Sequence, residues 1–98
     1  MLTFEKALEL ATTWVRITSD GRLTIFVDTT LTKPYGWIFF YGSRDPDDHI
    51  AGNAPIIVDR VDGEIRVTGT AYSLDTYIRE YEATLPPARL QMSIQRAS

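Results

Sequence analysis

The dipeptide Asp62-Gly63 constrains this chain more than any other feature. It separates IIVD (residues 56–59) from EIRVTGTA (residues 64–71), two short runs rich in β-branched residues. A tight turn between strands needs a residue at positive φ, and glycine adopts that geometry without a steric penalty. The segment is therefore predicted to be a β-hairpin. In its second arm Ile65, Val67, Gly69 and Ala71 face inward, while Glu64, Arg66, Thr68 and Thr70 face water. A register slip of one residue would reverse those faces, so the turn also decides which side is core.

The remaining pattern builds around that hairpin. Residues 3–17 predict a helix: Phe4, Ala7, Leu8, Ala11 and Val15 recur on one face. Thr3 is placed to cap it, Glu5 and Glu9 suit the positive end of its dipole, and Ser19-Asp20-Gly21 ends it. Residues 23–31, LTIFVDTTL, alternate as one strand, followed by a turn at Lys33-Pro34-Tyr35-Gly36. Residues 36–43, GWIFFYGS, predict a second strand, apolar on both faces and so central in the sheet. A second helix over residues 74–84 starts at the capping Ser73 and stops at Pro86-Pro87, with Leu74, Tyr77, Ile78, Tyr81 and Leu85 as its buried stripe. The expected fold is α+β: a four- or five-stranded antiparallel sheet with an N-terminal and a C-terminal helix packed on one face. Residues 1–86 form one domain, and residues 87–98 form a tail, either an edge strand through Leu90, Met92 and Ile94 or partly disordered.

Composition removes several kinds of function. The 98 residues hold no cysteine, which excludes disulfides, thiolate zinc sites and thiol nucleophiles. The net charge of -3, with scattered Lys and Arg, offers no basic stripe for nucleic acid. MLTFEKALEL lacks the pattern of a secretory signal, and the apolar run from Trp37 to Tyr41 is far short of the ~20 residues a membrane span requires. The expected location is the cytoplasm, with neither membrane nor nucleic acid as partner.

The chemistry-bearing residues are few. Asp45, Asp47, Asp48 and His49 cluster in RDPDDHIAGNAP. A calcium loop starting at Asp45 would need Gly sixth and Glu twelfth, where this chain has Ile50 and Ile56. The cluster reads instead as a solvated loop whose carboxylates cap turns, or as an acidic surface turned towards a partner. His49 is the single histidine, and no Gly-x-Ser-x-Gly elbow accompanies it. Candidate partner-binding residues are Arg44, Asp45, Asp47, Asp48 and His49 in the loop, with Glu64 and Arg66 on the water-facing side of the hairpin. No residue is assigned to catalysis, metal or cofactor.

The segment Ala51-Gly52-Asn53-Ala54-Pro55-Ile56-Ile57-Val58-Asp59-Arg60, with Asp62-Gly63-Glu64-Ile65, Gly69-Thr70-Ala71, Tyr77 and Tyr81-Glu82, resembles the YrhB-like family, also called immunity protein 35. The resemblance is dense over residues 51–82, compatible with Gly36-Trp37, and ends before the tail beyond Pro86. It implies a small cytoplasmic α+β protein, encoded beside a bacterial polymorphic toxin, that neutralises the toxin by binding and catalyses nothing. A basic toxin domain would suit the acidic loop, and the oligomeric state is open between monomer and homodimer. The resemblance also implies an alternative, a chaperone-like stress protein that holds unfolded clients. That role needs an exposed apolar patch, from Trp37, Tyr35 or the tail.

Overall fold

The computed structural model describes residues 1–43, 45 and 54–93. The first helix, α1 (Phe4–Thr18), begins where expected: Thr3 Oγ1 accepts a hydrogen bond from the Lys6 N–H at 3.2 Å. It ends at Ser19, after which Asp20 and Gly21 both take positive φ, 54° and 76°. Phe4, Ala7, Ala11 and Val15 are its buried stripe.

The predicted strand over residues 23–31 is two strands. β1 (Leu23–Ile25) stops at a 3-10 turn over Val27–Thr29, and the chain resumes as β2 (Leu31–Lys33). Side-chain chemistry explains the break. The Thr29 hydroxyl donates to the Phe26 carbonyl at 2.8 Å and the Thr30 hydroxyl donates to the Val27 carbonyl at 2.7 Å, so local bonds replace ladder bonds. The aromatic segment is divided too, into β3 (Gly36–Phe39) and β4 (Tyr41–Ser43), parted by Phe40. The hairpin provides β5 (Ile56–Asp59) and β6 (Ile65–Val67). All pairings are antiparallel. A four-stranded sheet has the order β2-β3-β5-β6, and β1 pairs with β4 in a two-stranded sheet.

β3 is central and fully buried, as its two apolar faces require. Gly36 faces Asp59 there and comes so close to the Val58 carbonyl that a Cβ would overlap it. Gly63, at φ 74°, closes the β5–β6 turn, with Asp59 N–H bonded to the Glu64 carbonyl at 3.0 Å. β6 is shorter than expected, and Val67 is 48% exposed rather than buried.

The second helix, α2 (Leu74–Ala83), is capped by Ser73, which accepts from the Thr76 N–H at 3.3 Å. The α+β class and the antiparallel pairing agree with expectation; the placement of this helix on the same face as α1 does not. Phe4, Ala7, Ala11 and Val15 pack with Trp37, Phe39, Ile56 and Val58. Ile78 and Tyr81 pack with Tyr35, Ile38 and Ile57. Side chains alternate across a strand, so the helices cover opposite faces of the sheet. The reason is area: two strands apolar on both sides leave half of that surface in water unless each side has a cover. Beyond the double proline, Pro87–Leu90 forms a short helix, α3, instead of an edge strand. The end of the tail, residues 94–98, lies outside the described residues.

Candidate functional site

Asp59 closes β5 at the hairpin turn, and its carboxylate gathers three parts of the chain. Oδ1 accepts the N–H groups of Val61 at 2.8 Å and Asp62 at 3.4 Å, an arrangement that shapes the turn. Oδ2 accepts the Tyr81 hydroxyl of α2 at 3.1 Å. Arg89 Nη2, from α3, donates to both carboxylate oxygens at 2.5 Å. Next to this knot Arg60 donates to the carbonyls of Pro34, at 3.1 Å, and Ser93. Tyr35 donates to Glu82 at 2.8 Å, and its ring centroid lies 5.4 Å from that of Tyr81. The β2–β3 turn, the β5–β6 turn, α2 and α3 are thereby tied together.

The electrostatics follow from burial. Burial alone would raise the Asp59 pKa, but the Arg89 guanidinium, the Val61 amide and the Tyr81 hydroxyl outweigh it and hold the carboxyl below its usual range. Burial raises both phenols far above an ordinary tyrosine, reinforced at Tyr35 by Glu82 and at Tyr81 by Asp59. A raised phenol pKa means the native state keeps a proton that the unfolded chain gives up above about pH 10. Urea midpoints are therefore expected to be insensitive to these tyrosines below about pH 10 and to fall above it. Tyr35→Phe and Tyr81→Phe should each flatten that alkaline decline. With the Asp59 side chain 4% exposed, the network works as a brace.

What it braces is a groove. Held by Tyr81, α2 overhangs β6 and encloses a cleft of about 320 Å³ lined by Arg66, Val67, Thr68, Tyr77, Glu80 and Thr84, with Ile57 and Tyr81 beneath. Arg66 pairs with Ile57 across the ladder, so it lies on the sheet face that α2 covers, yet its side chain stays half-exposed at the rim of the cleft. Its guanidinium sits 5.4 Å from the Tyr81 ring centroid, a cation–π arrangement, and 3.4 Å from Glu64. Of the predicted site residues the structure thus brings Glu64 and Arg66 together as an exposed ion pair beside this groove. Asp45 is exposed just beyond β4, its N–H bonded to the Ser43 hydroxyl at 3.1 Å. Arg44, Asp47, Asp48 and His49 lie outside the described residues. Among the described residues no group of three or more His, Cys, Asp or Glu is placed to hold a metal ion.

A second surface lies where the sheets part. Phe26, Val27 and Leu31 are each about two-fifths exposed, and Phe26, Thr29, Leu31, Phe40 and Tyr41 line a shallow apolar hollow. Of the expected sources of an exposed apolar patch, Trp37 and Tyr35 are fully buried, while Leu90 in the tail is 37% exposed. Nothing in the period-two alternation of residues 23–31 marks the hollow. The Asp28-Thr29-Thr30 cluster was the available signal, because such residues favour turns.

No helix among the described residues is long and apolar enough to cross a membrane. A protein of Escherichia coli (strain K12) described as "Uncharacterized protein YrhB" is 32% identical over 88 residues, spanning 84% of this chain and 90% of that protein. No family model matches the chain, and no solved structure matches it.

Proposed function

The chain belongs to the YrhB-like family, and we propose that it is a non-enzymatic immunity protein of the cytoplasm that binds and neutralises a cognate toxin domain. The observation carrying this reading is the groove beside β6, a concave and chemically mixed surface whose helix is tied to the sheet through Tyr81 and Asp59. Binding sites favour such a combination: an apolar floor with a few oriented polar groups around it. Available area is ample, since a standard interface takes about 800 Å² per partner and the folded chain exposes 6070 Å². The acidic sequence that follows β4 adds steering. With net charge -3 on the chain, Asp45, Asp47 and Asp48 would draw in a basic partner.

The test starts from the neighbouring gene, which on this reading encodes a protein with a toxin-like C-terminal domain. Co-expression should restore growth of cells making that domain, and the two should co-elute as a stable complex. Continued killing with no complex would refute the reading. Replacing Asp45, Asp47 and Asp48 together with Ala should slow association by about tenfold at low salt. An unchanged association rate would remove these carboxylates from the mechanism.

The apolar hollow formed by Phe26, Leu31 and Phe40 favours a second reading, a chaperone-like holder of unfolded clients. The two readings part on breadth. An immunity protein protects against one toxin and leaves the aggregation of unrelated proteins untouched, whereas a holder suppresses that aggregation and loses the ability on Phe26→Ser.

A further inference from the structure

β6 is an open edge. Arg66 faces Ile57 on β5, and the flanking ladder bonds run from the Thr68 N–H to the Pro55 carbonyl at 3.1 Å and from the Asp59 N–H to the Glu64 carbonyl at 3.0 Å. Alternate residues of an antiparallel ladder turn their backbone groups inward. Arg66 therefore bonds β5, while Ile65 and Val67 direct N–H and C=O away from it. Among the described residues no strand lies on that side. Nor does β6 carry the proline or lysine with which many proteins blunt such an edge.

The helix above the vacancy is dressed for an occupant. Tyr77, Glu80 and Thr84, at i, i+3 and i+7, put one stripe of α2 over the groove. Gly69 lets that stripe close in, because a Cβ there would overlap the Tyr77 phenol. The charges of the groove are unequal. Arg66 is paired with Glu64, whereas Glu80, across the same cleft, makes no ion pair within 4.0 Å among the described residues. An edge whose outward backbone groups have no strand partner among the described residues, roofed by a helix that presents the Glu80 carboxylate, has the features of sites that bind by strand addition.

We propose that this groove receives an extended segment of a partner protein, which joins the sheet as a further strand along β6 and sets a Lys or Arg side chain against Glu80. This deepens the binding reading above and rests on it. Main-chain bonds to Ile65 and Val67 supply affinity whatever the sequence of the segment. The basic residue at Glu80 and an apolar residue against Tyr77 select among sequences.

The probe is a synthetic heptapeptide, Thr-Val-Thr-Lys-Thr-Val-Thr, N-methylated along one edge so that it cannot pair with itself. Titration by NMR should shift the amide signals of Ile65 and Val67 and slow their hydrogen exchange by about tenfold. The same peptide with Glu at its centre should bind about fivefold more weakly, and Glu80→Gln should erase that difference. Val67→Pro removes an outward N–H and spares the Arg66–Ile57 bonds, so it should abolish binding in a chain that stays folded. The proposal is overturned if peptide at about 1 mM leaves those two amides unshifted, if the shifts gather elsewhere, or if Glu80→Gln still discriminates Lys from Glu. The toxin assay separates the two claims. Rescue by the Val67→Pro variant as complete as by the original chain means the toxin docks elsewhere, and strand addition alone falls. Peptide binding without rescue by the original chain sinks the immunity reading and leaves the groove as a peptide site.

Discussion

Asp59→Ala is expected to lower the unfolding free energy by about 3 kcal/mol and the melting temperature by about 15 °C. The reason is the charge left behind. Arg89 Nη2 donates to both carboxylate oxygens of Asp59, and the Arg89 side chain is only 22% exposed. Removing the carboxylate strands that guanidinium and also orphans the Val61 N–H and the Tyr81 hydroxyl. Breaking a buried pair costs about 3–5 kcal/mol. The lower end applies because Arg89 keeps a path to water. Asp59→Leu with Arg89→Met should recover the share of the loss due to the stranded guanidinium, since an apolar pair abandons no charge, but not the share due to the orphaned Val61 N–H and Tyr81 hydroxyl. Acid titration provides an independent check. The folded-state pKa of Asp59 is depressed, so its contribution is complete above the ordinary carboxylate range near pH 4 and fades as pH falls through the lower native value. Urea midpoints of the original chain should drop below about pH 4, and Asp59→Ala should lose part of that dependence. Equal acid slopes in both proteins would show that the pair is not a source of native stability.

That network also marks the boundary of what the residues disclose by themselves. Thr3, Ser73 and Gly63 act within a few positions of themselves, as two helix caps and a turn, and each stands where spacing places it. Asp59 reads as the last residue of a strand, while its main partner is 30 positions away, past two prolines, in a tail that local patterning leaves vague. Spatial pairing of that kind has no periodic signature. The division of residues 36–43 is hidden for a related reason. Apolar residues continue through Phe40, but the strand changes partner there, from β5 to β1, and a change of partner leaves no trace in a period of two. The opposite placement of the helices was more accessible. Trp37 and Phe39 on one side of β3, with Ile38 on the other, demand two covers, and the chain has two long helices to provide them. The groove is the least legible feature. Arg66 looks like a solvent residue by alternation, and only the overhang of α2 turns its surroundings into a cleft.

Gly36→Ala should be at least as damaging, by about 3 kcal/mol or more. The added methyl would overlap the Val58 carbonyl oxygen and stand 3.2 Å from the Arg60 nitrogen, both of them backbone atoms of the neighbouring strand and turn. Backbone cannot step aside there. Gly36 pairs with Asp59 and Trp37 with Val58, so relief requires opening the centre of the sheet. Tyr35 and Trp37, on either side, are fully buried, which prevents β3 from sliding out. Gly69→Ala is the informative contrast. Its obstruction is the outer end of the Tyr77 side chain, which can rotate away, so the expected loss is under about 1 kcal/mol. Thermal unfolding followed by circular dichroism would rank the two. Rotation of Tyr77 out of the groove should also weaken peptide binding in Gly69→Ala while leaving the fold intact. Comparable destabilisation at both positions would mean that α2 is held as tightly as the sheet itself, and that the groove beneath it is closed packing with no room for an added strand.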